Sequence, residues 1–455
     1  MRLRTLIEYS LAVVVVVILG AFVGWYFFLN TQSKEILSKD AARGYETSTD
    51  TSETRDSEAD KPSLISRVIK RFTGEGTAAS PTLTNPPFGQ SAGLDVRPLI
   101  ETATTSVKRP HQLSQVQAKP VAGMSFVKTG SSERLRYVER ATGYIYEVDP
   151  ATGLVIRIDN TLSPKIYEAI IATNGRVIIR SLDGTGRIST SITTIATSSN
   201  KSATSTQMSS STSLMKDILR LAVDPRSGDL FYLVRGTSGV VGYRSEWNGT
   251  KPKQVFTSPI AHWNPVWLSD GRIILTQGAA SNVPGFAYEL FASGEQEPLV
   301  RGVSGLTTLP RSHGALLFGE SERGHKMFAQ VSPTTTAVEL PIQTIADKCV
   351  WVPDVITQST TTGRAITRVM RNLVAYCGVP QKIPANFLDD WYRGLAHTSD
   401  ALWRADANAG SAAVSYIPQS DVPIDVERPT IDSTGTYMAF INRTDQSLWI
   451  WRIEK

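Results

Sequence analysis

Cysteine is nearly absent from this sequence, and the residues that usually build metal or catalytic sites are sparse. The chain of 455 residues has two cysteines and five histidines. Neither the cysteines nor the four histidines after residue 124 have a spacing typical of metal sites. No Ser/His/Asp order stands out, and no G-x-S-x-G motif lies between a strand and a helix. The sequence therefore predicts no metal and no cofactor, and it does not support a catalytic site.

A strong excess of one charge is also lacking. The 47 Lys and Arg residues face 42 Asp and Glu residues, for a net charge of +5. No basic face interleaved with aromatic residues is visible, so nucleic acid is not expected as a partner. The hydrophobic content of 41% is ordinary for a globular protein. The length fits two or three domains, or one large repeat architecture.

One long uncharged run lies near the N-terminus. From Tyr9 to Ser33 there is no charged residue, and residues 11–29 are apolar apart from two glycines. About 20 such residues cross the hydrocarbon core as a helix, and the arginines ahead of them favour a cytoplasmic N-terminus. We predict a cytoplasmic segment at 1–8 and an uncleaved signal-anchor helix at 9–30. This places the C-terminal domain outside the cytoplasm, at the cell membrane. A cleaved signal peptide is the alternative, although the bulky end of the run lacks a small-x-small site.

Residues 31–123 are rich in Ser, Thr, Glu, Asp and Pro and poor in aromatic residues, a composition typical of disorder. We predict a disordered stalk between the membrane and the C-terminal domain. Within it, residues 63–73 fit a short amphipathic helix with a basic face for lipid headgroups, with plain disorder as the alternative.

The segment Thr5-Leu-Ile-Glu8 ahead of the apolar run resembles the start of type IV pilins. Leu3 and Arg4 stand where those proteins have the Gly and Phe of their processing site. The resemblance implies a pilus- or secretion-associated component.

Hairpin-like units recur from about residue 124 to the C-terminus. The clearest, His262–Leu275, joins an extended run to an apolar run through a Ser-Asp-Gly turn. The turn glycines Gly228, Gly271 and Gly314 are 43 residues apart, which is the length of a four-stranded propeller blade. We predict an all-β fold, a β-propeller at 124–455 with about seven four-stranded blades. Six blades are the alternative.

The same unit carries a family resemblance. Its repeat consists of a proline, a tryptophan, a Ser-x-Asp-Gly type of turn and an apolar strand, here Pro265, Trp267, Ser269, Asp270, Gly271 and Ile273–Leu275. The domain resembles the TolB-type β-propellers, which are related to the WD-repeat proteins. The resemblance implies the fold and says little about function, because propellers host many unrelated activities.

Several details of the ring follow from the pattern. The last unit shows three strands, so Met124–Lys128 is expected to supply the fourth strand and close the ring. The Ser/Thr-rich insertion at 188–213 is expected to be a connecting loop without a site. The aspartates beside the turns are expected to form those turns rather than to bind metal, and the tryptophans of the repeats are expected to pack the blades. These aspartates are Asp224, Asp270, Asp354 and Asp432.

Cys349 and Cys377 fall on strands of one unit that we expect to be neighbours. If this domain is exported, oxidising conditions favour a disulfide between them. Two buried free thiols are the alternative, because sequence alone does not show whether the Cα atoms lie within bridging distance.

The most unusual connection is the long loop at 380–399. It places aromatic rings beside acids and bases, a composition that fits a binding surface on a rigid scaffold. The alternative is a long connection held in place by its own aromatic residues. The candidate binding residues are Asp389, Asp390, Trp391, Tyr392, Arg393 and His397.

Together these patterns predict a membrane-anchored extracytoplasmic β-propeller. We expect a non-enzymatic binding or scaffold module of the cell envelope, with a protein, peptide or glycan partner. The alternatives are a propeller hydrolase or lyase that acts on envelope polymers, and the pilus- or secretion-associated component. The enzyme alternative predicts that acids or histidines converge at one mouth of the central channel.

Overall fold

The computed structural model describes residues 112–195, 209–361, 364–419 and 421–454. The predicted cytoplasmic segment, the anchor helix at 9–30 and the amphipathic helix at 63–73 lie outside these residues. Within them, no helix is long and apolar enough to cross a membrane.

The described residues form seven four-stranded antiparallel sheets, one after another along the chain. Blade 1 contains β2 (Val121–Thr129), β3 (Ser132–Glu139), β4 (Ile145–Val148) and β5 (Val155–Asp159). Blade 2 contains β6 (Ile166–Ile171), β7 (Val177–Leu182), β8 (Ile188–Ile195) and β9 (Ser209–Ser213). Blade 3 contains β10 (Ile218–Val223), β11 (Leu230–Gly236), β12 (Gly239–Ser245) and β13 (Lys253–Ser258).

The next blades follow the same plan. Blade 4 contains β14 (Trp263–Trp267), β15 (Ile273–Gln277), β16 (Pro284–Leu290) and β17 (Gln296–Ser304). Blade 5 contains β18 (Thr307–Pro310), β19 (Leu316–Gly319), β20 (Lys326–Gln330) and β21 (Val338–Gln343). Blade 6 contains β22 (Cys349–Trp351), β25 (Val374–Pro380), β26 (Asp400–Asp406) and β27 (Ser411–Tyr416), and its first turn carries the hairpin of β23 (Val355–Thr361) and β24 (Arg364–Met370). Short 3-10 helices lie at Ser312–Gly314 and Ala346–Lys348.

Blade 7 is closed by a strand from the other end of the described chain. It contains β28 (Val426–Ile431), β29 (Tyr437–Asn442) and β30 (Ser447–Arg452), and β1 (Leu113–Gln117) pairs with β30 as its fourth strand. The predicted closing segment Met124–Lys128 was wrong, because those residues lie in β2, the first strand of blade 1. The propeller therefore begins at residue 113 rather than at 124, and part of the predicted stalk belongs to it. Seven blades confirm the predicted architecture.

The first strand of each blade lies at the centre of the ring. These first strands contact one another between blades, as β2 does with β6 and β28, and β10 does with β14. Apolar side chains on both faces of the sheets pack between neighbouring blades, as in the cluster of Phe231, Leu233, Trp263 and Leu275 between blades 3 and 4. The sheets thus surround a central channel that is lined by β2, β6, β10, β14, β18, β22 and β28.

The 43-residue period corresponds to real turns. Gly228, Gly271 and Gly314 each join the first strand of a blade to the second, and each has a positive φ between 81° and 93°. Glycine adopts this conformation without the steric cost of a Cβ atom. Beside them, Asp224 Oδ1 accepts a hydrogen bond from the amide of Arg226, as a turn-forming side chain does.

The Ser/Thr-rich insertion differs from the prediction. Residues 188–195 and 209–213 are strands rather than loop, and they pair from Ser191 with Ser213 to Ile195 with Ser209. The many Thr and Ile residues of β8 fit a pleated strand, so polarity alone was a poor guide to its structure.

Cys349 on β22 lies directly opposite Cys377 on β25. The two residues form a disulfide, and their Cα atoms are 4.0 Å apart. The bridge joins the inner strand of blade 6 to its second strand, at the end of this strand pair that lies away from the inserted hairpin.

Candidate binding site at the channel mouth

The long connection of blade 6 folds into a cap on one end of the ring. It joins β25 to β26, and its residues Phe387–Arg393 form the only α-helix of the described chain, α1. Phe387, Leu388 and Trp391 are at most 2% exposed and pack against Ile345. Apolar burial therefore holds α1 against the loops below it. We call this end of the ring the cap side.

The cap contacts four consecutive blades. Asp389 Oδ1 accepts a hydrogen bond from the amide of Ser281 in blade 4, at 3.1 Å. The ring of Phe387 meets that of His325 in blade 5 edge-on, with centroids 5.2 Å apart. Arg443 of blade 7 donates to the carbonyl oxygen of Trp391. Together with its own blade 6, the cap thus holds the loops of blades 4 to 7.

The six residues predicted to bind a partner differ in their burial and in their contacts within the protein. Trp391 is buried, so the structure does not present its side chain to a partner, and its role in binding stays a prediction. Asp389 and Tyr392 hold the cap in place, and Arg393 lies 3.7 Å from Asp390. The His397 side chain remains 42% exposed. The loop fits the alternative of a connection held by its own aromatic residues.

A fully buried ionic network lies under the cap. Lys348 Nζ is 2.7 Å from Asp400 Oδ2 and 2.5 Å from Asp425 Oδ1, and none of the three side chains is exposed. Burial raises the pKa of Asp400, and the nearby ammonium only partly offsets this effect. Burial also acts to raise the pKa of Asp425, but Lys348 and the Trp391 indole N–H outweigh it and lower that pKa. Because this network is closed to water, we assign it a structural role.

Charged side chains also converge at the channel. Arg428 on β28 donates to Glu168 Oε1 on β6 at 2.9 Å, which joins blade 7 to blade 2 past blade 1. Both residues lie on inner strands, with β2 between those strands around the ring, so we place the contact on the channel side. Gly123 on β2, the inner strand between them, adds no side chain, and a Cβ atom there would lie 1.9 Å from the carbonyl oxygen of Ala169.

Glu168 is held as an anion by several guanidinium groups. Arg180 donates to its other carboxylate oxygen, and Arg180 is fully buried and also donates to the carbonyl oxygen of Leu219 at 3.0 Å. Burial acts to raise the pKa of Glu168, but Arg428, Arg180 and Arg220 outweigh it and lower the pKa to about 2.

The charges continue around the channel on both sides of this pair. On one side, Arg220 Nε of blade 3 approaches Asn264 Oδ1 of blade 4 at 3.4 Å. On the other, Arg443 Nη1 donates to Glu427 Oε1 at 2.6 Å. We refer to six residues as the channel-mouth cluster: Glu168, Arg220, Asp347, Glu427, Arg428 and Arg443.

Asp347 differs from the other two acids of the cluster. Its carboxylate accepts a hydrogen bond from the Tyr392 hydroxyl at 2.6 Å. The residue is exposed to solvent. Partial desolvation by the neighbouring protein groups raises its pKa, and the hydrogen bond from Tyr392 only partly opposes the shift.

The cluster was missed by the sequence analysis, although a signal was present. Glu168 and Arg220 each interrupt an apolar strand, in Ile166–Ile171 and in Ile218–Val223. Burial of a charged side chain between blades is costly, so a charged residue inside an apolar innermost strand is expected to face the channel. Within the described ranges, no group of three or more His, Cys, Asp or Glu residues has the arrangement of a metal site.

No family model matches the chain, and no curated protein matches it. Among solved structures, the chain is similar to virginiamycin B lyase from Staphylococcus aureus, with 12% identity and a TM-score of 0.45 over 75% of this chain and 99% of that one. It is similar to a gluconolactonase from Xanthomonas campestris, with 10% identity and a TM-score of 0.36 over 75% and 89% of the two chains. It is also similar to the β-propeller domain of the Trilobed protease from Pyrococcus furiosus, with 10% identity and a TM-score of 0.43 over 73% and 92%. These likenesses do not identify an activity, and membership of the TolB-type family stays a prediction.

Proposed function

We propose that this protein is a membrane-anchored, extracytoplasmic binding module of the cell envelope. The helix predicted at 9–30 provides the anchor, and the stalk sets the reach of the propeller. The propeller binds a protein, peptide or glycan partner at the cap-side mouth of its channel and does not transform it chemically.

The ion pair of Arg428 and Glu168 carries this proposal. It presents charge to the channel, and the Arg428 side chain is 48% exposed. Rigid inner strands hold both residues, so a partner meets preorganised polar groups, which is how a rigid scaffold gains affinity at low entropic cost. Glu427 is likewise paired, with Arg443. Paired, water-accessible charges suit the recognition of a polar partner.

The test is a pull-down of the full-length chain from chemically cross-linked membranes. Arg428→Gln removes a charge from the channel mouth, while Arg404→Gln is the matched control. Arg404 is similarly exposed, at 47%, and pairs with Asp406 on the third strand of blade 6. We expect the first variant to lose a reproducible partner that the second retains. Identical partners for both folded variants would contradict the proposal. Deletion of 380–399 is a poor test, because it removes buried Phe387 and Trp391 from the core.

Asp347 supports a second candidate function, a hydrolase or lyase that acts on envelope polymers. A carboxyl group with a raised pKa that is hydrogen-bonded to a tyrosine hydroxyl has the properties of a general acid or base. Mass analysis of a captured polymer before and after incubation with the protein distinguishes the two functions. Conversion that is lost in Asp347→Asn supports the enzyme, whereas recovery of unchanged polymer supports the binding module.

The third candidate, a pilus- or secretion-associated component, depends on Thr5–Glu8, which lies outside the described residues. Sequencing of the mature N-terminus tests it. Processing after Leu3 supports this candidate, and an intact Met1 contradicts it.

A further inference from the structure

We propose that Arg220 and Arg428 form an anion subsite, which binds a carboxylate or phosphate group of the ligand at the channel mouth. This inference rests on the proposed function and names the chemistry that the site recognises.

The first support is the placement of the two arginines. Arg220 lies on β10 and Arg428 on β28, both inner strands, and Glu168 of β6 lies between them around the ring. Arg220 is exposed, and Arg428 is half-exposed. Both guanidinium groups are therefore on the channel and within reach of a ligand from solvent.

The second support is the local charge. Three guanidinium groups act on the single carboxylate of Glu168, those of Arg428, Arg180 and Arg220. Arg180 Nη1 and Nη2 already donate to this carboxylate and to backbone carbonyl groups in the interior. Glu427 and Asp347 also act on Arg428, so four guanidinium groups, those of Arg180, Arg220, Arg428 and Arg443, stand beside three carboxylates at this mouth. The excess of one positive charge gives a positive potential, which a concave site between low-dielectric walls focuses. Such a potential attracts an anion.

The third support is the orientation of the donors. Arg428 has a φ of 49° and precedes Pro429, an unusual backbone conformation for a residue with a side chain. The register shift between Glu427 and Thr430 places it in a β-bulge, a device that redirects a side chain. Arg220 follows a register shift of its own, between Ile218 and Arg220. Planar guanidinium groups held in this way match the paired oxygens of carboxylate and phosphate groups.

The fourth support is access. The contacts described for the cap lie on blades 4 to 7, through residues such as Ser281 and Arg443. The arginines and Glu168 belong to blades 7, 2 and 3. The ligand route that we propose therefore runs over blades 1 to 3, beside the cap, and reaches the two arginines first.

Isothermal titration calorimetry tests this subsite on the full-length protein in detergent at low ionic strength. The probes are inorganic phosphate and, separately, succinate. We expect saturable binding that Arg220→Gln and Arg428→Gln each weaken about tenfold, as loss of one charge-assisted hydrogen bond predicts. The control Arg404→Gln is expected to stay within about twofold of the wild type. Binding of one probe only assigns the subsite to that class of anion.

Lysine variants provide a second measure that does not depend on loss of charge. Arg428→Lys and Arg220→Lys are expected to bind more weakly than the wild type and more tightly than the glutamine variants, because charge remains and the planar pair of donors is lost. Absence of binding to both probes would overturn the inference, as would equal weakening by Arg404→Gln. If partner capture still depends on Arg428 in that case, the proposed function stands and the anion subsite alone fails.

Discussion

Arg428 and Glu168 are 260 residues apart in the chain, yet their side chains form a 2.9 Å hydrogen bond between blade 7 and blade 2. The bond passes the inner strand of blade 1, so it fastens the ring near the seam where β1 completes blade 7. The same two residues present charge to the channel. The Glu168 carboxylate therefore contributes both to the stability of this seam and to recognition at the channel mouth. Substitution of the residues that pair with it separates the two roles.

Glu168 is expected to matter more for folding than Arg428 does. Glu168→Gln leaves the fully buried guanidinium of Arg180 without its counter-charge, which costs about 3 kcal/mol of unfolding free energy. Arg428→Gln leaves Glu168 paired with Arg180, and the exposure of Arg428 limits the loss to about 1 kcal/mol or less. Denaturant unfolding measures both. Equal destabilisation by the two variants would contradict this assignment.

Acid is expected to weaken the seam through Glu168. The pKa of Glu168 is 4.5 for the unperturbed group and about 2 in the folded protein. Since the folded pKa is the lower one, the carboxylate stabilises the fold fully above about pH 4.5, and this stabilisation is lost as the pH falls towards 2. The Glu168→Gln variant should therefore lose less stability than the wild type across this window. Parallel stability profiles for the two proteins would show that another group is responsible.

Gly123 is expected to tolerate no side chain. In Gly123→Ala the new Cβ atom meets the backbone of Ala169, so β2 and β6 have to separate, at a cost of about 3 kcal/mol. Gly184→Ala is the matched control, because its Cβ atom meets nothing within 4 Å and its φ is not positive. Thermal unfolding should show a lower midpoint for the first variant only. An unchanged midpoint for Gly123→Ala would exclude this close approach of the strands.

Lys348 is expected to be among the most sensitive positions of the propeller. Lys348→Met leaves two fully buried carboxylates, Asp400 and Asp425, without their cation, which costs about 4 kcal/mol. Lys216→Met removes an exposed lysine that pairs with Asp183 and should change stability by less than about 1 kcal/mol. Urea unfolding compares them. A mild effect of Lys348→Met would mean that water or a proton shared by the two acids replaces the lysine.

The disulfide is expected to stabilise blade 6. Its removal frees a loop of 28 residues in the unfolded chain, which costs about 3.5 kcal/mol in the loop-entropy account. A reductant should therefore lower the urea midpoint of the wild type and leave that of the Cys349→Ala/Cys377→Ala variant unchanged. A wild-type midpoint that ignores the reductant would contradict a stabilising role of the bridge.

The sequence predicted the repeats better than the site. Turn glycines such as Gly271 need a positive φ, and they recur at blade length, so the architecture was visible in the local pattern. The closing strand was not, because Leu113–Gln117 is a short polar segment that becomes a strand only by pairing with β30. Local composition does not encode a pairing between the two ends of a chain.

The site at the channel mouth likewise depends on contacts between residues that are far apart in the sequence. Trp391 looked like a contact residue because an aromatic ring beside acids is common at interfaces, but the structure places its indole against Asp425 in the interior. Glu168 and Arg428 looked like isolated charges on separate strands. Only the closed ring brings them together, and the ring forms through contacts between blades rather than through any local motif.

Photo-cross-linking in membranes tests most directly whether the partner binds at the cap-side mouth. A photoreactive residue in place of Leu395, which follows α1 and is 67% exposed, is compared with one in place of Leu154, which is 55% exposed beside the outer strand of blade 1. The account predicts a partner adduct from position 395 that Arg428→Gln abolishes, and none from position 154. Adducts from position 154 alone, or adducts that are indifferent to Arg428, would contradict it.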